Sequence, residues 1–326
     1  MNCRIVLVLC CVAVLARVAF AHPEQPTRSV LTWDQLPRLP DPIGFAGPFA
    51  GISNDALVLA GGANFPNGPP WDGHPQVWHD RIFVLPEPQG KWQATDRLPR
   101  PLGYGVSLTT KDGVLCLGGG DGNRHFADAF ILKWVNGKTE IVGLPPMPKP
   151  TAFFCGGVLD HTVYVAGGQE QPNSSSTLKT FWSLDLSKKT EEQKWQQLEP
   201  WPGRPRMLAI AAAQDGSFLL FGGVDLVSGE NGQPKREYLT DAYRFTPGKG
   251  WKRIADLPRP AAAAPTPAPS LGQSHVLILG GDNGDLALRT AELKDRHPGF
   301  CSDILAYHTI TNTLDEDGRD YQGPRR

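Results

Sequence analysis

Glu230 and Arg236 lie six residues apart in a polar segment after the apolar run that ends near residue 221. A carboxylate can take up or return a proton, and an arginine can hold a carboxylate anion through two parallel hydrogen bonds. The pair could therefore bind an anionic substrate and move a proton on it. Charged loop residues are commonly only solvated, so both interpretations stay open. Arg206, further upstream, could face the same site or the surface.

The elements that would position this pair belong to an internal repeat. Apolar runs end in a Gly-Gly doublet about every fifty residues, at Gly61-Gly62, Gly118-Gly119, Gly167-Gly168, Gly222-Gly223 and Gly280-Gly281. A tryptophan recurs six residues before a Leu-Pro or Trp-Pro pair, at Trp33, Trp92, Trp195 and Trp251. Two spacings that agree between the units indicate a repeat architecture.

Each unit is predicted to form four short strands. Apolar and β-branched runs of strand length alternate with Gly, Pro and Asn-Gly or Asp-Gly turns, and no long helical periodicity interrupts them. Four-stranded units repeated radially make an all-β propeller, and a period near fifty is typical of kelch repeats. A β-sandwich with accidental glycines is the less favoured alternative.

The loops between second and third strands should open on the same face as the links between units, because strands alternate in direction. That face collects the longest insertions, at 63–79, 224–240 and 282–302. Long loops on a rigid scaffold commonly carry function, so the site is predicted there.

Residues 1–21 are predicted to be a secretory signal peptide. Arg4 supplies the positive charge, 5–20 the apolar stretch, and Ala19-Phe20-Ala21 a cleavage site before His22. The apolar stretch is short for a membrane span. We therefore expect a periplasmic or secreted protein that is not held in a membrane after cleavage.

Three cysteines remain after such cleavage: Cys116, Cys155 and Cys301. Cys116 and Cys155 lie in apolar runs and are predicted to be buried thiols, although a bridge between them and a reactive Cys301 stay open. No metal-binding motif is present, so neither a metal nor a cofactor is predicted. The net charge of −1 argues against a nucleic-acid partner.

The two ends of the repeat region break the pattern. The proline- and alanine-rich run 258–269 aligns with the inner strand of the fifth unit, with a linker as the alternative. Leu314 stands where a tryptophan is expected, and 315–326 is predicted to be an unstructured tail. The propeller is assigned to 22–314, with an outer strand at 30–35 that has no unit of its own. We expect five blades, a truncated sixth, and open faces that a homodimer could bury.

Several segments resemble the bacterial N-acetylneuraminate epimerase family, which comprises sialic acid mutarotases, and in particular its cyclically permuted branch. The resemblance runs from about 33 to 312 and is carried by 44–54, 60–66, 100–107 and 297–300. It implies a six-bladed kelch-type propeller that interconverts the α and β anomers of a sialic acid without a cofactor. The truncated sixth blade that we expect is a departure from the family pattern.

The resemblance also implies roles for individual residues. Glu230 and Arg236 match the position and spacing of the proposed catalytic pair, with Glu230 as the base and Arg236 holding the substrate carboxylate, assisted by Arg206. Weaker candidates for binding hydroxyls or the N-acetyl group are Asn64, Tyr104 and His297. The main alternative is a non-enzymatic propeller that binds a glycan or a protein. A copper oxidase lacks a ligand set here, and a degenerate product of a truncated gene is a further alternative.

Overall fold

The computed structural model describes residues 31–229 and 232–315, which form an all-β structure. The signal peptide predicted at 1–21, Glu230, and the tail from 316 onward lie outside these residues. In chain order the strands are β1 (Phe49–Ser53), β2 (Ala56–Ala60), β3 (Ala63–Asn64), β4 (Val77–Trp78), β5 (Arg81–Leu85), β6 (Gln93–Arg97), β7 (Val106–Thr110), β8 (Gly113–Leu117), β9 (Ala129–Val135), β10 (Lys138–Gly143), β11 (Cys155–Leu159), β12 (Thr162–Ala166), β13 (Phe181–Asp185), β14 (Gln196–Gln197), β15 (Ile210–Gln214), β16 (Ser217–Phe221), β17 (Val224–Ser228), β18 (Pro234–Tyr238), β19 (Ala242–Thr246), β20 (Gly250–Ile254), β21 (Ser270–Leu271), β22 (His275–Leu279), β23 (Ile304–His308) and β24 (Thr313–Asp315).

These strands form five four-stranded antiparallel sheets, one for each repeat, which we name blades A to E. Their strand orders are β1-β2-β5-β6, β7-β8-β9-β10, β11-β12-β13-β14, β15-β16-β19-β20 and β21-β22-β23-β24. Two additional hairpins, β3-β4 and β17-β18, extend the loops after the second strands of blades A and D. Short 3-10 helices span Pro70–Asp72, Thr190–Glu192, Ala287–Arg289 and Lys294–Arg296, and one helical turn, α1, spans Thr290–Leu293.

The blades pack radially, as a propeller requires. The second strands β8 and β16 are buried along their whole length because a neighbouring blade covers each face, whereas the outer strands β6 and β10 are largely exposed. The innermost strands lie side by side in chain order, β1 against β7, β7 against β11 and β11 against β15. The predicted all-β propeller is therefore confirmed, with five described sheets that do not close into a ring.

The inner strands surround a central channel of about 670 Å³. All five blades contribute to its wall, through Ala50, Ser107, Gly157, Ala213 and Ala268 among others. Side-chain hydroxyls join neighbouring inner strands there: Ser107 Oγ accepts a hydrogen bond from the Ala50 amide at 3.0 Å. Small residues on these strands allow several strands to approach one axis.

The Gly-Gly doublets mark the junction between one blade and the next. At Gly167-Gly168 the φ angles are +71° and +100°, and the Gly168 amide donates to the Arg206 carbonyl at 2.8 Å. A Cβ atom on Gly167 would lie 2.3 Å from that carbonyl oxygen. The doublet recurs because these positions need a left-handed backbone and, in the first four doublets, close contact with the following link.

The prediction of an outer strand near the start of the repeat region is corrected. Residues 31–48 contain no regular strand, so the outer strand predicted at 30–35 is not formed in its described part. Leu31 instead packs its side chain on Leu277, Ile304 and Ala306 of blade E. Leu314 does lie in the fourth strand of blade E, where the missing tryptophan was expected.

The run 258–269 occupies the predicted inner position of blade E without forming the predicted strand. The Ala268 amide donates to the Ala211 carbonyl of blade D at 2.7 Å, which places the run beside β15. The regular strand β21 is only two residues long. Proline lacks an amide proton for a ladder, and three prolines occur between residues 265 and 269.

The three cysteines within the described residues, Cys116, Cys155 and Cys301, are free thiols, and no disulfide joins Cys116 to Cys155. Both are buried, as predicted, and burial raises the pKa of Cys155 to about 12. Cys301 is half-buried. Within 31–229 and 232–315, no cluster of three His, Cys, Asp or Glu side chains could hold a metal ion. No helix in the same residues is long and apolar enough to cross a membrane.

Candidate functional site

A chain of backbone hydrogen bonds runs around the axis on the predicted functional face. It links Gly47, Tyr104, Phe153, Leu208 and Ala263, one from the link before the inner strand of each blade. Each amide donates to the carbonyl of the preceding member, at 2.7, 2.9, 2.7 and 3.0 Å in order. All five residues have φ between +54° and +59°. We name this feature the axial chain.

The axial chain fixes three side chains at the centre of the face. A left-handed conformation costs a non-glycine residue about 1 kcal/mol or more, and such strain is commonly found at functional sites. The Tyr104 ring lies against Gly47, where a Cβ atom would come within 2.5 Å of it. The rings of Tyr104 and Phe153 have centroids 5.0 Å apart. With Leu208, they form an apolar platform.

A cavity of about 490 Å³ opens beside this platform, between blade C's loop after β12 and the β17-β18 hairpin. We name it the arginine cavity. Its apolar floor contains Phe153, Met207 and Leu208, and its polar wall contains Gln169, Asn173, Ser174, Gln233 and Arg236. One exposed guanidinium among amide and hydroxyl groups suits a polar, anionic molecule.

The hairpin register directs Arg236 into this cavity. Arg236 pairs with Leu226 across the hairpin, so both side chains lie on the cavity face. Asp225 and Glu237 form the neighbouring pair and lie on the opposite face, where Arg204 bonds both. The Arg204–Asp225 ion pair is 2.9 Å long. Arg204 thus anchors the hairpin from the face opposite Arg236.

A second anchor connects the hairpin to blade E. The Tyr238 hydroxyl donates to Asp282 Oδ2 at 2.6 Å, and the Tyr238 ring packs over Gly284. Burial, followed by the bond to Asp282, raises the pKa of Tyr238 against a smaller opposing effect of Arg236. Tyr238 therefore stays protonated and keeps this bond near neutral pH.

A smaller cavity of about 140 Å³ adjoins the arginine cavity, and Phe153 and Pro172 line both. We name it the aromatic cavity, since Trp78, Tyr104 and His125 also line it. The Tyr104 hydroxyl accepts a hydrogen bond from Gln76 Nε2 at 2.6 Å, so its own proton remains free to donate. Burial raises the pKa of Tyr104, against the lowering effect of Gln76.

His125 is a site residue that the sequence alone did not reveal. Its Nδ1 lies 2.9 Å from the Gln169 carbonyl oxygen, which can only accept, so Nδ1 carries the proton. Burial lowers the pKa of His125, opposed by hydrogen bonds to backbone groups of Gln169 and Glu170 and by Asp121. The ring is therefore neutral near pH 7, with Nε2 as an acceptor. Its position after the second Gly-Gly doublet, on the predicted face, was the available signal.

Asn64 and Arg206, which were predicted to contact the substrate, bond to other groups of the protein instead. Asn64 is buried; its amide nitrogen donates to the Gly44 carbonyl at 2.9 Å, and its amide oxygen bonds His79 at 2.8 Å. Arg206 has no exposed surface and pairs with Asp241 at 2.7 Å. Both side chains therefore hold the scaffold together, which favours a structural role over contact with substrate.

Of the other predicted site residues, Tyr104 and Arg236 lie near each other, whereas His297 lies apart from both cavities. Tyr104 and Arg236 line adjoining cavities, which supports their shared assignment to one site. His297 follows the last 3-10 helix, accepts a hydrogen bond from the Gly299 amide at 3.1 Å, and lines neither cavity. Glu230 is outside the described residues, so its role as base stays a prediction.

Comparison with known proteins supports the resemblance. Residues 16–141 match the sequence model of the family described as N-acetylneuraminate epimerase. A Yersinia enterocolitica protein of that name is 37% identical over 110 residues, covering 30% of this chain and 27% of that protein. A Haemophilus influenzae protein of the same name is 34% identical over 140 residues, covering 38% and 37%. The resemblance is thus confirmed for roughly the first third of the chain, and the match spans only about a third of these relatives.

A solved structure titled "Structure of YjhT" has a similar fold. The TM-score is 0.67, with 13% sequence identity, and the match covers 87% of each chain. This likeness extends the common architecture over most of the chain. The family match includes Asn64, Tyr104 and His125, whereas Arg206, Glu230, Arg236 and His297 lie beyond it.

Proposed function

We propose that this protein is a mutarotase that interconverts the α and β anomers of N-acetylneuraminate. The observation that carries the proposal is the arginine cavity, where Arg236 faces a polar wall next to the axial chain. The match of 16–141 to N-acetylneuraminate epimerases supports the choice of substrate. The cavity is large enough for part of a monosaccharide, which makes a sugar acid a suitable ligand.

Arg236 would act by holding the substrate carboxylate. In a sialic acid that carboxylate is attached to the anomeric carbon, so a bidentate arginine contact also orients the reacting centre. Mutarotation removes a proton from the anomeric hydroxyl and delivers one to the ring oxygen, and closure on the other face reverses both transfers. The carboxylate itself keeps its charge throughout, which suits a permanently charged guanidinium.

The proton transfers require a group that titrates near the working pH. The resemblance assigns this role to Glu230, six residues before Arg236 in the sequence. We keep this assignment as part of the proposal. Replacing Glu230 with Gln is expected to abolish acceleration without affecting folding, and unchanged anomer exchange would remove Glu230 from the mechanism.

The proposal extends to where and how the chain works. The charge, apolar stretch and cleavage site in 1–21 support export to a periplasm or beyond the cell. The repeat period supports kelch-type blades. A homodimer remains a prediction that light scattering of the purified protein would check.

The test is anomer exchange of N-acetylneuraminate, measured by proton NMR on the mature chain from residue 22. We expect acceleration by the wild type and a roughly 10- to 100-fold loss of kcat/KM in Arg236→Gln, because a charge-assisted contact contributes about 1.5–3 kcal/mol. Arg236→Lys should fall between them, because lysine keeps the charge but loses the fork. Arg97→Gln, at an exposed arginine of blade A, is the matched control.

Two results would count against the proposal. Equal acceleration by wild type and Arg236→Gln would remove the arginine cavity from the reaction. Binding of the sugar by a folded wild-type protein without any acceleration would make the protein a glycan-binding propeller instead of an enzyme.

A further inference from the structure

We propose that the aromatic cavity binds the acetamido group of the sugar acid whose carboxylate is held by Arg236. The inference rests on the proposed function, and it assigns His125 and Trp78 to substrate specificity. Neither residue was a candidate from the sequence.

The size and lining of the aromatic cavity suit a small substituent that ends in an apolar group. At about 140 Å³ it is too small for a sugar ring with its substituents but large enough for a small substituent. Its wall is formed by the rings of Trp78, Tyr104, Phe153 and Pro172. An acetamido group ends in a methyl group, which packs well against such rings, whereas a chain of hydroxyls would leave its polar atoms without enough partners.

The donors and acceptors of the aromatic cavity also match an acetamido group. An acetamido group has one N–H donor and one carbonyl acceptor. The cavity offers their complement: Tyr104 keeps a hydroxyl proton to donate, and His125 Nε2 is an acceptor because Nδ1 carries the ring proton. In the part of the chain that the structure describes, the enclosed Trp78 Nε1 has no partner, which adds an unused donor at the same wall. Such unsatisfied groups are rare in folded proteins unless they serve a purpose.

The aromatic cavity lies where a sugar held by Arg236 can reach it. The aromatic and arginine cavities share Phe153 and Pro172, so one molecule can occupy both. In N-acetylneuraminate the carboxylate and the acetamido group are attached at opposite positions of the six-membered ring. A ring lying over Phe153 would therefore place the carboxylate on the Arg236 side and the acetamido group against His125.

Two substitutions of His125 separate its structural hydrogen bond from its role towards a ligand. An asparagine side chain can reproduce the Nδ1 donor to the Gln169 carbonyl, but it has nothing at the Nε2 position. A glutamine can place an amide oxygen near the Nε2 position and thereby restore an acceptor. His125→Asn should therefore fold and lose the contact, and His125→Gln should regain part of it.

The experiment compares N-acetylneuraminate with its analogue that has a hydroxyl in place of the acetamido group. Anomer exchange is followed by NMR and affinity by calorimetry, for the wild type, His125→Asn and His125→Gln. We expect the wild type to prefer the acetamido sugar, and His125→Asn to reduce that preference roughly three- to tenfold, mainly through KM. Trp78→Phe should reduce it as well. His161→Asn, at an exposed turn histidine on the opposite face, is the matched control.

The outcomes distinguish the two proposals. Equal handling of both sugars by the wild type, or an equal loss for both sugars in His125→Asn, would overturn the acetamido assignment while leaving mutarotation intact. Absence of acceleration with either sugar would overturn the proposed function, and the calorimetric preference would then decide the binding assignment alone. Thermal unfolding of each variant identifies any loss that is due to misfolding.

Discussion

Replacing Arg206 with Met should lower the free energy of unfolding without removing a substrate contact. The guanidinium is fully buried, pairs with Asp241 at 2.7 Å and donates to the Gly222 carbonyl at 2.9 Å. It also lies 5.5 Å from the ring centres of Trp201 and Tyr243. Methionine fills a comparable volume but offers no donor, so the substitution tests the polar network more than the packing.

The expected loss of stability follows from Asp241, which the substitution leaves without its ion-pair partner. Removing one member of a buried ion pair typically costs about 3–5 kcal/mol, because the other charge stays buried without compensation. Asp241 is 19% exposed, so some solvent reaches it and the lower end of that range applies. With a Tm shift of roughly 2–4 °C per kcal/mol for chains of 150–250 residues, a decrease on the order of 10 °C is expected.

The pH dependence of stability gives an independent check. Burial alone would raise the pKa of Asp241, but the hydrogen bond and charge of Arg206, assisted by Tyr243 and Arg253, hold it below its usual value. In the wild type this carboxylate therefore contributes stability above the unfolded pKa, and the contribution is lost as pH falls through the lower folded pKa. Without Arg206 the folded pKa should rise above the unfolded value, and acid should then relieve part of the destabilisation.

The assay is thermal unfolding by circular dichroism between pH 3 and 7, together with calorimetric titration of N-acetylneuraminate. Arg206→Met combined with Asp241→Asn should recover part of the lost stability, because no charge is left unpaired. Arg97→Met serves as the control, since Arg97 is exposed in blade A. An unchanged Tm together with lost sugar affinity would refute the structural assignment and restore Arg206 to the substrate site.

Three further outcomes are expected from the site. Gly47→Ala should disturb the Tyr104 ring, since the added Cβ would lie 2.5 Å from it at φ +59°, and the near-ultraviolet circular dichroism and the sugar affinity should both decrease. Arg204→Met should leave the 9% exposed Asp225 carboxylate without its ion pair and cost about 1–3 kcal/mol in denaturant unfolding, together with weaker sugar binding as the hairpin loosens. His125, whose pKa is lowered chiefly by burial, should make the wild type lose stability as pH falls below about 6.5, the unfolded value; His125→Asn should flatten that part of the profile.

The repeat made the fold predictable from the sequence. All five Gly-Gly doublets have positive φ angles, and in the first four the first glycine meets a carbonyl of the link to the next blade; Gly280, in the fifth, meets Cys301 in the loop of its own blade. The spacing of the doublets therefore indicated contacts between blades as well as the positions of strands. The prediction of regular strands failed at 258–269 and at 30–35, although both segments follow the register of the repeat. Prolines in 258–269 occupy the inner position without hydrogen bonding as a strand, and Leu31 packs its side chain on blade E outside any regular strand.

The site was only partly predictable, for a different reason. Arg236 could be identified because its spacing from Glu230 is a local property of the chain. Gln76 and Trp78 lie in the insertion of blade A and His125 in the loop after β8 of blade B, and only the folded protein brings their contacts to one wall. Arg206 was predicted to lie at the site because of its place in the repeat, yet it is fully buried. The sequence could not show this, because arginine is usually an exposed residue.

The axial chain explains why the two cavities form one site. Every bond in it joins one blade to the next, so the positive φ angles of Tyr104, Phe153 and Leu208 are held by neighbouring blades and not by their own strands. Both cavities are consequently bounded by residues from different repeats. A change in the packing between blades must shift Phe153, which both cavities share, and thereby alter the carboxylate and acetamido contacts together. We therefore expect substitutions at the blade junctions to change affinity for the sugar even where they contact no part of it.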